Sequence, residues 1–236
     1  MTARSGGEAG PPRGGRPDRI GVFGGTFNPI HDCHLRVAAA CREALGLDTV
    51  LFVPAGEPPL KRAHLAPAAH RLEMVRRATA DRPHFAVSDL EVERAGPSYT
   101  IDTLKALADR HPGAALTLIL GLDALLGIGQ WHRADAVLRV CPIAVLFRPG
   151  ARFVQLADLP ELAGVDFGPL RDTCGRDPAA PLHLASADGI RLTLVPIEPC
   201  PVSGTRIRAA IHAGERDVDG LPPEVLSYIL RHHLYA

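Results

Sequence analysis

Five unbroken apolar runs recur along the chain, and a stretch with helical spacing follows most of them. The runs lie in RIGVFGG (19–25), TVLFVPAG (49–56), ALTLILG (115–121), PIAVLFRPG (142–150) and IRLTLVPI (190–197). A strand wetted on one side alternates apolar and polar residues, whereas a run apolar throughout is covered on both faces. Between the runs, HLRVAAACREALGL (34–47), APAAHRLEMVRRAT (66–79), SYTIDTLKALADRHPG (98–113) and RADAVLRV (133–140) repeat apolar residues every three to four positions. Buried strands alternating with helices predict a parallel sheet. Right-handed crossovers then place helices on both faces, a Rossmann-like doubly wound α/β fold. HFAVSDLEVE (84–93) alternates and reads as another strand. SYTIDTLKALADRHPG opens on a Ser/Thr start signal and closes on Pro-Gly, and SGTRIRAAIHAG (203–214) is capped by Ser203 or Thr205 and stopped by Gly214. LPPEVLSYILRHHLY (221–235), entered through proline, forms a small C-terminal helical part.

Residues 1–18 are rich in Gly, Pro and Arg and lack the apolar core of a signal peptide, so a disordered tail is expected there. Residues 19–236 then make a single domain. Within it, 151–189 has poor periodicity and frequent Pro, Gly and Asp, the pattern of an irregular insertion. The 26 basic and 26 acidic residues balance. No global field therefore recruits nucleic acid or anionic membrane, and any phosphate binding must be local. No run is long enough to cross a membrane as a helix. The five cysteines are odd in number and scattered without a C-x-x-C, which argues against a disulfide framework or zinc knuckle. Reduced thiols in a cytoplasm are expected.

The stretch GVFGGTFNPIHDCHL (21–35) follows the first predicted strand. Ligands of open α/β sheets sit at the carboxyl ends of strands. Gly24 and Gly25 let backbone approach a ligand closely, and the next helix offers free N–H groups and the positive end of its dipole. Asn28 and Asp32 are alternative caps. His31 and His34, three apart, share a helical face. Together these make a site for a phosphate anion, and bound anion would raise the histidine pKa values. Zinc is the rival reading, although it wants further ligands.

GGTFNPIHDCHL resembles the first signature of nucleotidyltransferases with a HIGH-type motif, and VSGTRIR (202–208) resembles their second. Between them GPSYTIDTL (96–104), GLDALLGIGQW (121–131) and FRPG (147–150) are similar to bacterial nicotinate-nucleotide adenylyltransferases. The likeness runs from Ile20 to Tyr235 and is weakest after Gly150. It implies transfer of the adenylyl group of ATP, with Mg²⁺, to nicotinate mononucleotide in NAD biosynthesis. The acceptor's 5′-phosphate attacks in line, with no covalent enzyme intermediate.

By matched position the resemblance gives Gly24, Gly25, Thr26 and Phe27 as the nucleotide cradle, mostly through backbone, with Ser203 assisting. His31, His34 and Arg208 are the catalytic phosphate-binding groups. Thr100, Trp131 and His132 form the nicotinate pocket. Trp131 either stacks on the pyridine ring or only packs. Asp123 either meets a ribose or metal-bound water, or caps the segment after it. Arg148 either contacts nucleotide or begins a loop. No protein-held metal is expected. Three departures stand out: Cys33 replaces the signature's Gly, Gly204 replaces its second Ser, and Leu60 stands where relatives often carry His, before a matching Lys61. Other acceptors, nicotinamide mononucleotide or phosphopantetheine, and a non-catalytic nucleotide-binding regulator are the alternatives. Oligomeric state stays open, a homo-oligomer among the expectations.

Overall fold

The five apolar runs form adjacent strands in the middle of a seven-stranded sheet, whose order is β3 (Phe85–Val87), β2 (Thr49–Pro54), β1 (Arg19–Gly25), β4 (Ala115–Gly121), β5 (Ile143–Phe147), β7 (Arg191–Pro196), β6 (Leu182–Ala185). The structure is a computed structural model and describes residues 16–60, 65–148, 150, 153–173 and 176–236. The helices are α1 (Asp32–Leu45), α2 (Ala68–Thr79), α3 (Leu90–Glu93), α4 (Thr100–Arg110), α5 (Leu122–Leu126), α6 (Ala134–Val140), α7 (Val154–Ala157), α8 (Gly168–Arg171), α9 (Gly204–His212) and α10 (Pro223–Arg231).

Pleating sends alternate residues to opposite faces. Ile20, Val22, Leu118, Leu120, Ile143 and Val145 pack on one side, against Ile101, Leu104 and Leu107 of α4 and Leu125 of α5. Phe23, Phe52, Ile119 and Leu146 face the other side, against α1, α2, α9 and α10. Each such large side chain contributes about 1.5–3 kcal/mol by leaving water. Gly21 marks the tightest point: a Cβ there would stand 2.7 Å from Leu47 and 2.8 Å from Ile119. The chain leaving α1 can cross β1 only over a glycine. Gly46, at φ 60, ends α1 by donating to the carbonyls of Arg42 and Glu43.

Three expectations need correction. HFAVSDLEVE is a strand only over Phe85–Val87. Ser88 N–H still donates to Phe52 O, but Ser88 Oγ then accepts from Leu90 N–H and Asp89 O from Val92 and Glu93 N–H, which starts α3. The segment 151–189 carries α7, α8 and β6, which pairs antiparallel with β7 through a turn closed by Ser186 and Gly189. The sheet is thus parallel except at that edge. The cap of α4 is Tyr99, because Ser98 Oγ is used elsewhere, accepting from Gly56 and Glu57 N–H. Residues 1–15 of the expected tail lie outside the described residues. Arg16 pairs with Asp48 at 2.6 Å, and Asp18 O accepts from Ala115 N–H.

Strand order reverses between β1 and β4: successive crossovers run from β1 to β2 and β3 on one side, and from β4 to β5 and β7 on the other. The loops leaving β1 and β4 diverge there and leave a crevice at the carboxyl end of the sheet.

Candidate active site

That crevice is a cleft of about 540 Å³. Gly24, Gly25 and Thr26 line it from the end of β1, Leu120 and Gly121 from β4, and Ala55 from the loop after β2. Thr100, Trp131 and His132 form a further wall. The His132 imidazole stacks on Tyr99, centroids 4.3 Å apart, while Trp131 is half-buried. A Cβ on Gly24 would meet nothing within 4 Å, so the backbone there faces open space. Phe27, at φ 45, turns its ring into the core against Phe23, Phe52 and His34. Only its backbone can serve a ligand.

The cap of α1 is His31, not Asn28 or Asp32. Its backbone N–H donates to His34 Nδ1 at 3.2 Å. This bond assigns His34 the tautomer with its proton on Nε2. The two rings stack with centroids 3.8 Å apart, so the three-residue spacing does place them together. His31 is buried, and its Nδ1 has no hydrogen-bond partner among the described residues. Burial pushes its pKa down to about 4, partly opposed by a backbone hydrogen bond. Without anionic ligand His31 is therefore neutral near pH 7. Among the described residues no three His, Cys, Asp or Glu side chains cluster as metal ligands, so the H-x-x-H pair lacks the further ligands zinc wants.

The second motif meets the first directly. Ser203 caps α9, its Oγ accepting from Arg206 N–H at 3.3 Å. Arg208 Nη1 donates to Asn28 O at 2.7 Å, and Nη2 to Thr205 Oγ1 at 3.3 Å. Asn28 Oδ1 accepts from Ala66 N–H and the Tyr235 hydroxyl, so Asn28 ties loops rather than capping α1. A Cβ on residue 204 would stand 3.0 Å from Asn28 O and 3.3 Å from Arg208 Nη1. The glycine that replaces the signature's serine therefore permits close approach of α9. The N-termini of α1 and α9 converge here, both carrying partial positive charge.

Cys33 and Cys200 form a disulfide, with Cα atoms 5.7 Å apart. This overturns the expectation of reduced thiols throughout. The pair is separated by 167 residues and joins the helix bearing the histidines to the segment before Ser203. Cys41 and Cys141 are free and buried, with thiol pKa values raised by burial, and Cys174 lies outside the described residues.

Other site residues are set apart. Asp123 is exposed, lies within the first turn of α5 rather than capping it, and does not line the cleft. Arg148 is exposed just past β5 and is likewise off the cleft. Leu60 is exposed at the cleft's edge, and Lys61 lies outside the described residues.

Two residues went unread in the sequence. Glu91, buried at the cleft wall, accepts from Thr103 Oγ1 at 2.6 Å; burial raises its pKa against the pull of that bond. Arg71 is almost fully buried and donates to three backbone carbonyls. Its only sequence signal is a basic residue on the apolar stripe of α2.

The profile of a family described as Cytidylyltransferase-like matches residues 22–210. A protein of Geobacter metallireducens named "Probable nicotinate-nucleotide adenylyltransferase" is 41% identical over 220 residues, covering 92% of this chain and 98% of that one. A Roseiflexus protein of the same name is 42% identical over 217 residues, covering 92% and 97%. Among solved structures, the Plasmodium falciparum nicotinic acid mononucleotide adenylyltransferase complexed with NaAD superposes with a TM-score of 0.67, 18% identity, and coverage of 92% of this chain and 97% of that one. At that identity the likeness speaks to the fold.

Proposed function

The chain belongs to the Cytidylyltransferase-like family, and from that premise we infer that it is a nicotinate-nucleotide adenylyltransferase. It joins ATP and nicotinate mononucleotide to give nicotinate adenine dinucleotide and pyrophosphate, a step of NAD biosynthesis. The observation that carries this reading is one cleft with two unlike walls. The Gly24–Thr26 backbone and the neighbouring histidine pair suit a polyphosphate, and Trp131 with Thr100 and His132 suits an aromatic carboxylate. The names of the relatives point to the same acceptor.

In the reaction a 5′-phosphate oxygen of the acceptor forms a bond to the α-phosphorus of ATP. The bond from that phosphorus to the α–β bridging oxygen breaks, and pyrophosphate leaves with the electron pair. The nucleophile is already anionic, so the protein supplies alignment and charge stabilisation rather than a strong base. His34 Nε2–H and the His31 ring donate to phosphate oxygens as negative charge moves onto the leaving group. Arg208 spends two of its five donors within the protein and offers the rest to the β- or γ-phosphate. Trp131 stacks on the pyridine ring, and N–H donors beside it hold the carboxylate. ATP enters as its Mg²⁺ complex, the hard cation being met by phosphate oxygens and water. Asp123 and Arg148, both exposed, reach substrate only from outside the cleft. No helix among the described residues is long and apolar enough to cross a membrane.

Mass spectrometry of the products tests the reading. Purified protein with MgATP and nicotinate mononucleotide yields nicotinate adenine dinucleotide and one equivalent of pyrophosphate. Turnover only with phosphopantetheine, only with CTP, or with no acceptor overturns it.

A further inference from the structure

Arg71 stands one turn into α2, outside both signature motifs in the sequence, and is 1% exposed. Its Nε donates to Ala66 O at 2.9 Å, Nη1 to Thr26 O at 2.8 Å and Nη2 to Gly56 O at 3.0 Å. Among the described residues no carboxylate lies within ion-pair distance. The buried cation is thus held by three neutral carbonyls, Thr26 on the loop after β1 and Gly56 and Ala66 at the two ends of the connection from β2 to α2. The buried Glu91 carboxylate, beyond ion-pair distance, offsets the charge only in part, and burial still lowers the guanidinium's pKa; burying a charge so weakly compensated is expensive, and simple pinning of loops does not require it.

Two of these carbonyls, of Thr26 and Gly56, belong to loops that lead to the two halves of the cleft. Thr26 belongs to the nucleotide cradle. Gly56 lies on the loop that Ser98 also holds, through Gly56 and Glu57 N–H, two residues before Thr100 on the acceptor wall. One guanidinium therefore sets the distance between the two subsites. It also orients a peptide. In a planar trans peptide the C=O and the following N–H point in opposite directions. Drawing Thr26 O onto Arg71 turns Phe27 N–H the other way, and that N–H has no partner among the described residues. The positive φ of Phe27 is a backbone state the loop must be held in.

We propose that Arg71 is a positioning residue for adenylyl transfer: it fixes the Thr26–Phe27 peptide as a donor to the transferring phosphate and holds the ATP and acceptor loops in register. The proposal rests on the reading of the site as an adenylyltransferase. Lysine keeps the charge but has one nitrogen, which cannot span three carbonyls, and methionine keeps bulk without donors.

The test combines steady-state kinetics and amide spectroscopy on Arg71→Lys and Arg71→Met, at a temperature where near-UV circular dichroism shows each folded. Misalignment by about 1 Å is worth up to roughly 100-fold. Both variants should lose kcat by about 10- to 100-fold while KM for ATP and for acceptor stays within about threefold. In ¹H–¹⁵N spectra a non-hydrolysable ATP analogue should shift the Phe27 amide of the parent protein, and that shift should collapse in both variants. A kcat within threefold of the parent, or a Phe27 amide that responds as in the parent, overturns the proposal. Failure of both variants to fold also overturns it, because the guanidinium would then serve the fold alone. If the parent protein gives no turnover with nicotinate mononucleotide, the acceptor reading fails, while the amide response to the ATP analogue still judges Arg71.

Discussion

Replacing His31 by Asn should remove a defined part of the protein's acid sensitivity. Burial holds the His31 pKa at about 4 in the folded protein, against about 6.5 in an unfolded chain. Between those values the unfolded chain binds a proton that the folded one refuses. Acidification therefore favours unfolding, and stability rises with pH across this window. At roughly 1.4 kcal/mol per pH unit, the full penalty is about 3 kcal/mol near pH 4 and about 2 kcal/mol at pH 5. It vanishes above about pH 7, where both states are neutral. Asn does not titrate and is a favoured helix cap, so α1 keeps its start. The assay is urea unfolding of both proteins at pH 7.5 and pH 5. The parent should lose about 2 kcal/mol more than the variant on acidification, the carboxylates common to both cancelling. Bound ATP should reverse the preference, since its phosphates stabilise the imidazolium, so ATP protects the parent better at pH 5.5 than at pH 7.5 and the variant less so. Equal acid sensitivity of the two proteins, within about 0.5 kcal/mol, would refute the buried neutral histidine.

His34→Ala should lower kcat by about 100-fold, the scale of losing one transition-state donor, while the melting transition stays cooperative; activity within a few-fold would remove His34 from the phosphate site. Cys200→Ser opens a disulfide spanning 167 residues and should lower unfolding free energy by about 2–5 kcal/mol without reductant; alkylation of both Cys33 and Cys200 in the untreated protein would show the bond absent. Trp131 is the only tryptophan and lines the cleft, so nicotinate mononucleotide should quench intrinsic fluorescence saturably, and unchanged emission at saturation would place the pyridine ring elsewhere.

The sheet was readable because buried parallel strands are apolar throughout, and nothing else in the chain imitates Thr49–Pro54 or Ala115–Gly121. The phosphate site was readable because Gly24, Gly25 and the histidine pair serve no packing need in that combination. What escaped depends on long-range contact. Leu182–Ala185 is short and borders a turn-rich segment, and only pairing with β7 makes it a strand. Cys33 and Cys200 lie too far apart in the chain for spacing to pair them. His31 became the cap because its N–H finds His34 Nδ1, a partner visible only once the turn is formed. Arg71 looks like one more charge on an amphipathic helix until the loops after β1 and β2 close over it.

The most direct test of the account is the ratio of kcat/KM for nicotinate mononucleotide to that for nicotinamide mononucleotide, with saturating MgATP. Both acceptors carry the same ribose phosphate, so only the carboxylate and the amide differ. A charge-assisted hydrogen bond is worth about 1.5–3 kcal/mol, and losing one predicts a preference of at least roughly tenfold for the acid. Equal or higher kcat/KM for the amide would contradict the assignment of the Thr100–Trp131–His132 wall as a carboxylate site.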